Sequence, residues 1–359
     1  MSKLLDLNRA GAIASRKISS LRRDHRTIAF IVIMPALQIL LFGLAIGGTP
    51  NGLDFAVIDD GSPMFNQITD GLNGSESLVI HLEVSDEVEA RYMIQQGELW
   101  GALMVQKNGT LLLVLDNSNQ QVSSTIIVEV RTAMTAALAA QGASLPLEIG
   151  DPVYGERDPA FIDFLAPGIM VMVCFLFSII LTTMAFVGER YDGTLDRVFA
   201  TGTQPIEVLL GHLVAFSTIL IGQVSVVILI AVYGFDIPLE GSLITLFMLA
   251  LLLGGAAMCF GLFVSSKAKS EFQAMQVIMP VIFPVLLLSG ILWPIEGIPL
   301  ILQPVAWALP TSWSAEAFRS IMIRGWGFEH AIVWKAFLYN GAFAIAMLTL
   351  AAKSLKVRE

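Results

Sequence analysis

The chain has 359 residues, 55% of them hydrophobic and 14% charged, with 30 acids against 21 bases and a formal net charge of -9. A mean hydropathy of +0.73 is far above that of an average water-soluble domain and puts the chain in a bilayer. The acidic balance speaks against a nucleic-acid partner, and the four histidines (His25, His81, His212, His330) show no metal-ligand spacing.

Residues 1–26 carry Lys3, Arg9, Arg16, Lys17, Arg22, Arg23 and Arg26 against Asp6 and Asp24, so this basic arm is expected on the cytoplasmic side. Its pattern is helical. No convincing small-residue cleavage site follows the apolar run at 27–48, which is therefore expected to stay as a first membrane span containing Pro35. From 49 to 160 the character changes to that of a soluble α/β module. LDFAVID, GALMVQ and LLLVLD read as strands, and DEVEARYMIQQGE and STIIVEVRTAMTAALAAQGA as helices. With about four times as many acids as bases between Asp54 and Asp158, the module is expected outside the membrane.

Five further apolar runs follow, at about 161–187, 206–234, 242–264, 272–293 and 331–352, each long enough to span a hydrocarbon core of about 30 Å. Cys174 and Cys259 fall inside them and read as small buried hydrophobes rather than a disulfide. Six spans return the C-terminus to the cytoplasm, in keeping with Lys353, Lys356 and Arg358 in the tail at 353–359. Between the last two spans, residues 294–330 hold too many prolines for one helix and too many apolar residues for a solvated loop. They read as a re-entrant hairpin, with Trp293, Trp307, Trp313 and Trp326 at headgroup depth. The expected fold is thus a polytopic α-helical membrane protein: six transmembrane helices, with an α/β extracytoplasmic domain between the first and second.

The inner loop GERYDGTLDRVFATGTQPIEVLLGH is the one charged island in the later spans. Asp192 or Thr194 is suited to cap a short helix TLDRVFA, Gly202 to end it, and Pro205 to open the next span. Such a helix would turn Asp196 and Arg197 outward and Leu195, Val198 and Phe199 inward. That suits docking on another protein; a solvated turn whose charges hold topology is the alternative.

This loop resembles the first inner loop of type-2 membrane subunits of ATP-binding-cassette (ABC) exporters. FLAPGIM, GLFVSSKAKSEFQAMQ, LLLSGILWPIEGIP, LPTSW and FRSIMIRG agree with that family in order and spacing. In the outer module, VIDDGS, EARYMIQQGELWGALMV and LDNSN do the same. The motif style also resembles the transmembrane half of insect H-subfamily ABC lipid exporters. The resemblance implies that residues 189–203 form a coupling helix contacting an ABC ATP-binding subunit through Glu189, Arg190, Gly193, Thr194, Leu195, Asp196 and Arg197. It also implies that 1–26 is an interfacial connecting helix in which Arg22, Arg23 and Arg26 take part.

No G-x-x-x-x-G-K-[ST] loop occurs, so the chain is expected to bind no cofactor and to be no enzyme itself, with ATP and magnesium on a separate partner. A second copy or a paralogous permease is expected to complete the pathway. Membrane lipid and a periplasmic adaptor are further expected partners, and the plasma membrane, or a bacterial inner membrane, the location. Gln223, Gln273, Gln276 and Asn340 are candidates to line a path, or else to bond helix to helix. Few charges lie deep in the spans, which argues against a proton relay, and apolar, Met-rich walls favour a hydrophobic or amphipathic cargo such as a lipid, drug or lipid-linked glycan. Ion extrusion by the same family, or a receptor that uses its outer domain, stand as alternatives.

Overall fold

The computed structural model describes residues 6–23, 29, 33–40, 50–58, 63–105, 110–116, 120–140, 161–268, 270–295 and 298–355. It divides into two compact units, Gly48–Pro152 and the remainder of the chain. The first element, α1 (Leu7–Arg23), belongs to the larger unit. It turns Ala10, Ile13, Ala14, Lys17 and Leu21 to one buried face, the spacing of an amphipathic helix.

The smaller unit runs β1 (Leu53–Ile58), α2 (Pro63–Asn73), β2 (Leu78–His81), α3 (Glu87–Gln96), β3 (Gly101–Val105), β4 (Leu111–Leu115) and α4 (Gln120–Ala140). The sheet order is β2-β1-β3-β4, with β1 parallel to β2 and β3, and β4 antiparallel to β3. Alternation along β1 sends Phe55 and Val57 to one face, where they meet Phe65, Ile68 and Leu72 of α2 and Val122, Ile126 and Val130 of α4. Ala56 goes to the other face with Ala90 of α3. Asp86 caps α3 by accepting from Glu89 N at 2.8 Å, and Gly97 ends it in a left-handed turn. The three strands read from sequence are all present. The sequence reading missed β2, which is only four residues long, and α2, whose Asn66, Gly71 and Asn73 are weak helix formers held in place by burial of Phe65, Ile68 and Leu72.

The larger unit continues with α5 (Phe161–Tyr191), α6 (Thr194–Ala200), α7 (Pro205–Leu229), α8 (Leu243–Lys267), α9 (Glu271–Leu288), α10 (Gln303–Ala308), α11 (Pro310–Arg324) and α12 (Ala331–Ser354). α5 and α12 both pack along α8, whose Leu246, Leu249, Leu253 and Ala257 are wholly buried. α7 passes into a π-helical turn, Ile230–Gly234, before Asp236 takes a left-handed φ of 56°. α9 stops at Leu288, short of the expected 293, where Ser289 caps it and Gly290 turns with φ 70°.

Among the described residues, six helical stretches are long and apolar enough to cross a membrane: Val122–Ala139, Ile162–Tyr191, Pro205–Gly234, Leu243–Lys267, Glu271–Leu288 and Ala331–Ser354. The first of these lies in α4, whose Val122, Ile126, Val130, Ala133 and Ala137 belong to the core of the sheet unit. The expected span at 27–48 lies largely outside the described residues; residues 33–40 of it are helical. The chain is a multi-pass membrane protein with a small α/β extramembrane domain.

The proline-rich segment expected as a hairpin forms α10 and α11, each with proline in its first turn. α11 is almost entirely buried and is stapled by Arg319, itself 6% exposed. Its guanidinium donates to Gly290 O at 3.0 Å, to Phe164 O at 3.4 Å and to Glu316 Oε2 at 2.9 Å, and lies 4.1 Å from the Phe164 ring. One side chain thus joins α11 to the start of α5 and to the turn that ends α9.

Candidate functional site

The charged loop between α5 and α7 folds as α6. Asp192 and Thr194 do not cap it: the N-cap is Gly193, which makes no side-chain bond and has φ 67°. The reason is steric. The reversal out of α5 needs a left-handed residue there, and glycine takes that conformation without a Cβ penalty. At the far end Gly202 N–H bonds Phe199 O, and Glu207 accepts from Gln204 N at 2.9 Å to open α7 behind Pro205. Leu195 and Phe199 are buried against Phe186, Val208, Leu209 and Leu262, while Asp196 and Arg197 are exposed.

Behind α6 lies a cluster of ion pairs. Glu189, near the end of α5, meets Lys17 Nζ and Arg16 Nη2 of α1, the latter at 3.4 Å, and His212 Nε2 of α7 at 3.0 Å. His212 is 1% exposed, and its Nδ1 lies 2.8 Å from Val208 O. That carbonyl can only accept, so Nδ1 carries a proton and Nε2 is the atom presented to the carboxylate. Glu207, also 1% exposed, accepts from Asp6 N at 2.8 Å as well as from Gln204 N, and Arg9 donates to Gly202 O at 2.8 Å. α1 lies close enough to α7 that a methyl added at Gly211 would come to 2.7 Å from Ile13 Cγ2. α1, α5, α6 and the start of α7 are therefore tied into one body at this end of the bundle.

The seven residues expected to contact a partner differ in where they point. Glu189 points to α1 and α7, and Arg190 donates to Ser266 O at 3.0 Å, satisfying a carbonyl at the C-terminal end of α8. Leu195 is core; Gly193 and Thr194 are half-buried; Asp196 and Arg197 face outward. Of the connecting-helix arginines, Arg22 and Arg23 are exposed at the end of α1 and Arg26 lies outside the described residues. Between α1 and α6 an open groove of about 400 Å³ is lined by Arg9, Arg16 and Arg197 over Ile13 and Val198.

The four candidate path residues also divide. Gln223 is buried and donates to Val173 O at 3.4 Å; Asn340 is buried and donates to Ser314 Oγ and Ala336 O, both at 2.8 Å. Both act between or along helices. Gln273 and Gln276 lie on the exposed face of α9 with Phe272, Val277 and Phe283.

Residues 25–353 match the family model of the ABC-2 family transporter proteins. The chain belongs to that family. This ABC-2 permease is 32% identical over 372 residues to ABC transporter G family member 20 of Dictyostelium discoideum, covering 97% of this chain and 50% of that protein. It is 25% identical over 357 residues to the inner membrane transport permease YhhJ of Escherichia coli strain K12, covering 94% of each. It therefore spans about half the length of the Dictyostelium relatives it matches.

Sequence reasoning overlooked Lys17, His212, Glu207 and Gly211 of the permease. For Glu207 a signal existed, since a glutamate two positions after a proline that opens a helix is placed to bond the N-cap. Nothing local marked the other three, whose partners come from separate helices.

Proposed function

We propose that this ABC-2 permease moves a hydrophobic or amphipathic substrate, such as a lipid, a drug or a lipid-linked glycan, outward by alternating access. An ATP-binding subunit hydrolyses ATP with magnesium and drives it; these 359 residues contain no phosphate-binding loop of the G-x-x-x-x-G-K-[ST] kind. The observation that carries the reading is α6, a short helix that offers Asp196 and Arg197 to the outside and buries Leu195 and Phe199 in one cluster with Ile13 of α1, Phe186 of α5 and Val208 and Leu209 of α7. A push on such a helix moves the ends of several spans together rather than bending one loop. The adjoining arginine-lined groove suits an acidic segment of the ATP-binding subunit.

Two copies, or this chain with a paralogue, enclose the pathway, and the exposed face of α9 with Gln273 and Gln276 is assigned to it. The α/β unit lies outside the membrane, where a periplasmic adaptor would meet it, and both termini are cytoplasmic in the plasma membrane or bacterial inner membrane.

Co-purification with candidate ATP-binding subunits, followed by ATPase and export assays in proteoliposomes, tests the reading. Reversal of both charges, Asp196→Arg with Arg197→Glu, is expected to lower coupled hydrolysis and export by about tenfold, equivalent to about 1.4 kcal/mol of docking energy. Unchanged hydrolysis and export would remove α6 from the coupling role. Ion flux in place of amphiphile export would change the cargo and leave the coupling intact.

A further inference from the structure

Lys335 lies one turn into α12, at the end of the bundle opposite α6: the other end of the same helix, at Ala351, packs with Leu195 and Phe199. One turn is about 5 Å along the axis, which keeps the ammonium near the polar interface of a bilayer and away from its hydrocarbon centre. The ammonium sits against two indole rings, 5.7 Å from the centroid of Trp313 and 5.9 Å from that of Trp334. Two carboxylates of the segment before it are engaged elsewhere. Glu316 holds Arg319 and Arg324, and Glu329 accepts from Gly327 N and lies 3.9 Å from His330. Among the described residues Lys335 has no acidic partner.

The wall beside it is fixed. Trp313 donates Nε1–H to Trp307 O at 2.8 Å, lies 4.6 Å from the Trp307 ring, and stacks on Tyr339 at 4.8 Å. Below Lys335, at helical spacings of three, four and three, come Leu338, Ala342 and Ile345, all exposed. A cation near the end of the helix therefore stands at the top of an exposed apolar stripe of Leu338, Ala342 and Ile345.

We propose that this face of α12 binds a phospholipid, with its phosphate on Lys335 against Trp313 and Trp334 and an acyl chain along Leu338, Ala342 and Ile345. An ammonium partly screened from water by two indoles gains most from an anion that brings its own apolar surface, and at this depth a phospholipid supplies both. A carboxylate on another protein would match the cation but would leave the stripe below it uncovered.

Native mass spectrometry of the intact chain released from nanodiscs tests the site, using phosphatidylglycerol, phosphatidylethanolamine and diacylglycerol as separate probes. Either phospholipid is expected to stay bound and diacylglycerol to be lost. Lys335→Met should lower phospholipid retention about fivefold, the effect of one basic side chain at a membrane surface, while Lys335→Arg retains it. Ala342→Asp, which puts a charge in the stripe and leaves Lys335 in place, should also lower retention. Thermal unfolding in the same detergent establishes that each variant is folded. Diacylglycerol held as well as the phospholipids, or Lys335→Met with unchanged retention, overturns the proposal. A Lys335→Met variant that breaks an oligomer while keeping its lipid assigns the face to a second copy instead.

Discussion

At the scale of single residues, Glu189 is the side chain that ties α1, α5 and α7 together at the α6 end of the bundle. Its carboxylate is 13% exposed and faces Lys17, 10% exposed, together with His212. Removal of one partner from a buried pair leaves the other charge without compensation, so Glu189→Gln is expected to destabilise the protein by about 3–5 kcal/mol in equilibrium unfolding in detergent. Lys17→Met in the Glu189→Gln background removes the stranded cation and should recover most of that loss. A double variant no more stable than Glu189→Gln alone would mean that the cluster does not act as a pair. This part of the site was not legible in the sequence. Glu189 lies 172 residues from Lys17 and 23 from His212, and an ion pair between separate helices leaves no periodic trace.

At the scale of elements, legibility followed burial pattern and length. α6 could be read because its apolar residues recur at one-turn spacing between turn residues, and its inward and outward faces are as the spacing implies. Its cap could not be read, because the demand for a left-handed residue at 193 arises from where α5 ends. α11 shows the same limit more strongly. Its sequence, PTSWSAEAFRSIMIR, mixes polar and apolar residues with no one apolar stripe, so nothing in it marks the burial around Arg319. In Arg319→Leu the carbonyls of Gly290 and Phe164 each lose a buried donor, at about 1–3 kcal/mol per acceptor. Arg324→Leu, at a position 33% exposed, should cost about 1 kcal/mol or less. Unfolding in detergent that ranks the two equally would show that Arg319 is not what holds α11 to α5 and to the end of α9.

At the scale of the whole molecule, the question is which helices cross the membrane. Hydropathy alone admits Val122–Ala139, but that stretch includes Glu129 and Arg131 and puts its apolar positions into the core of the sheet unit. A helix that already buries its apolar face against its own sheet has little left to offer lipid. Five candidate crossing helices then remain among the described residues, and the apolar run at 27–48 is the sixth that the sequence leads one to expect. With α5 as the single crossing between them, Asp70 of α2 and Asp196 of α6 are expected on opposite sides of the membrane. Single cysteines test it directly, because Cys174 and Cys259 are buried and should give little background. In intact cells a membrane-impermeant maleimide should label Asp70→Cys at once and Asp196→Cys only after permeabilisation. Labelling of both from outside would mean that the crossings between them are even in number, and a span would have to be added or removed between α2 and α6. The helix to reassign would be α4, and the acidic unit would then be split across the bilayer against the continuity of its core.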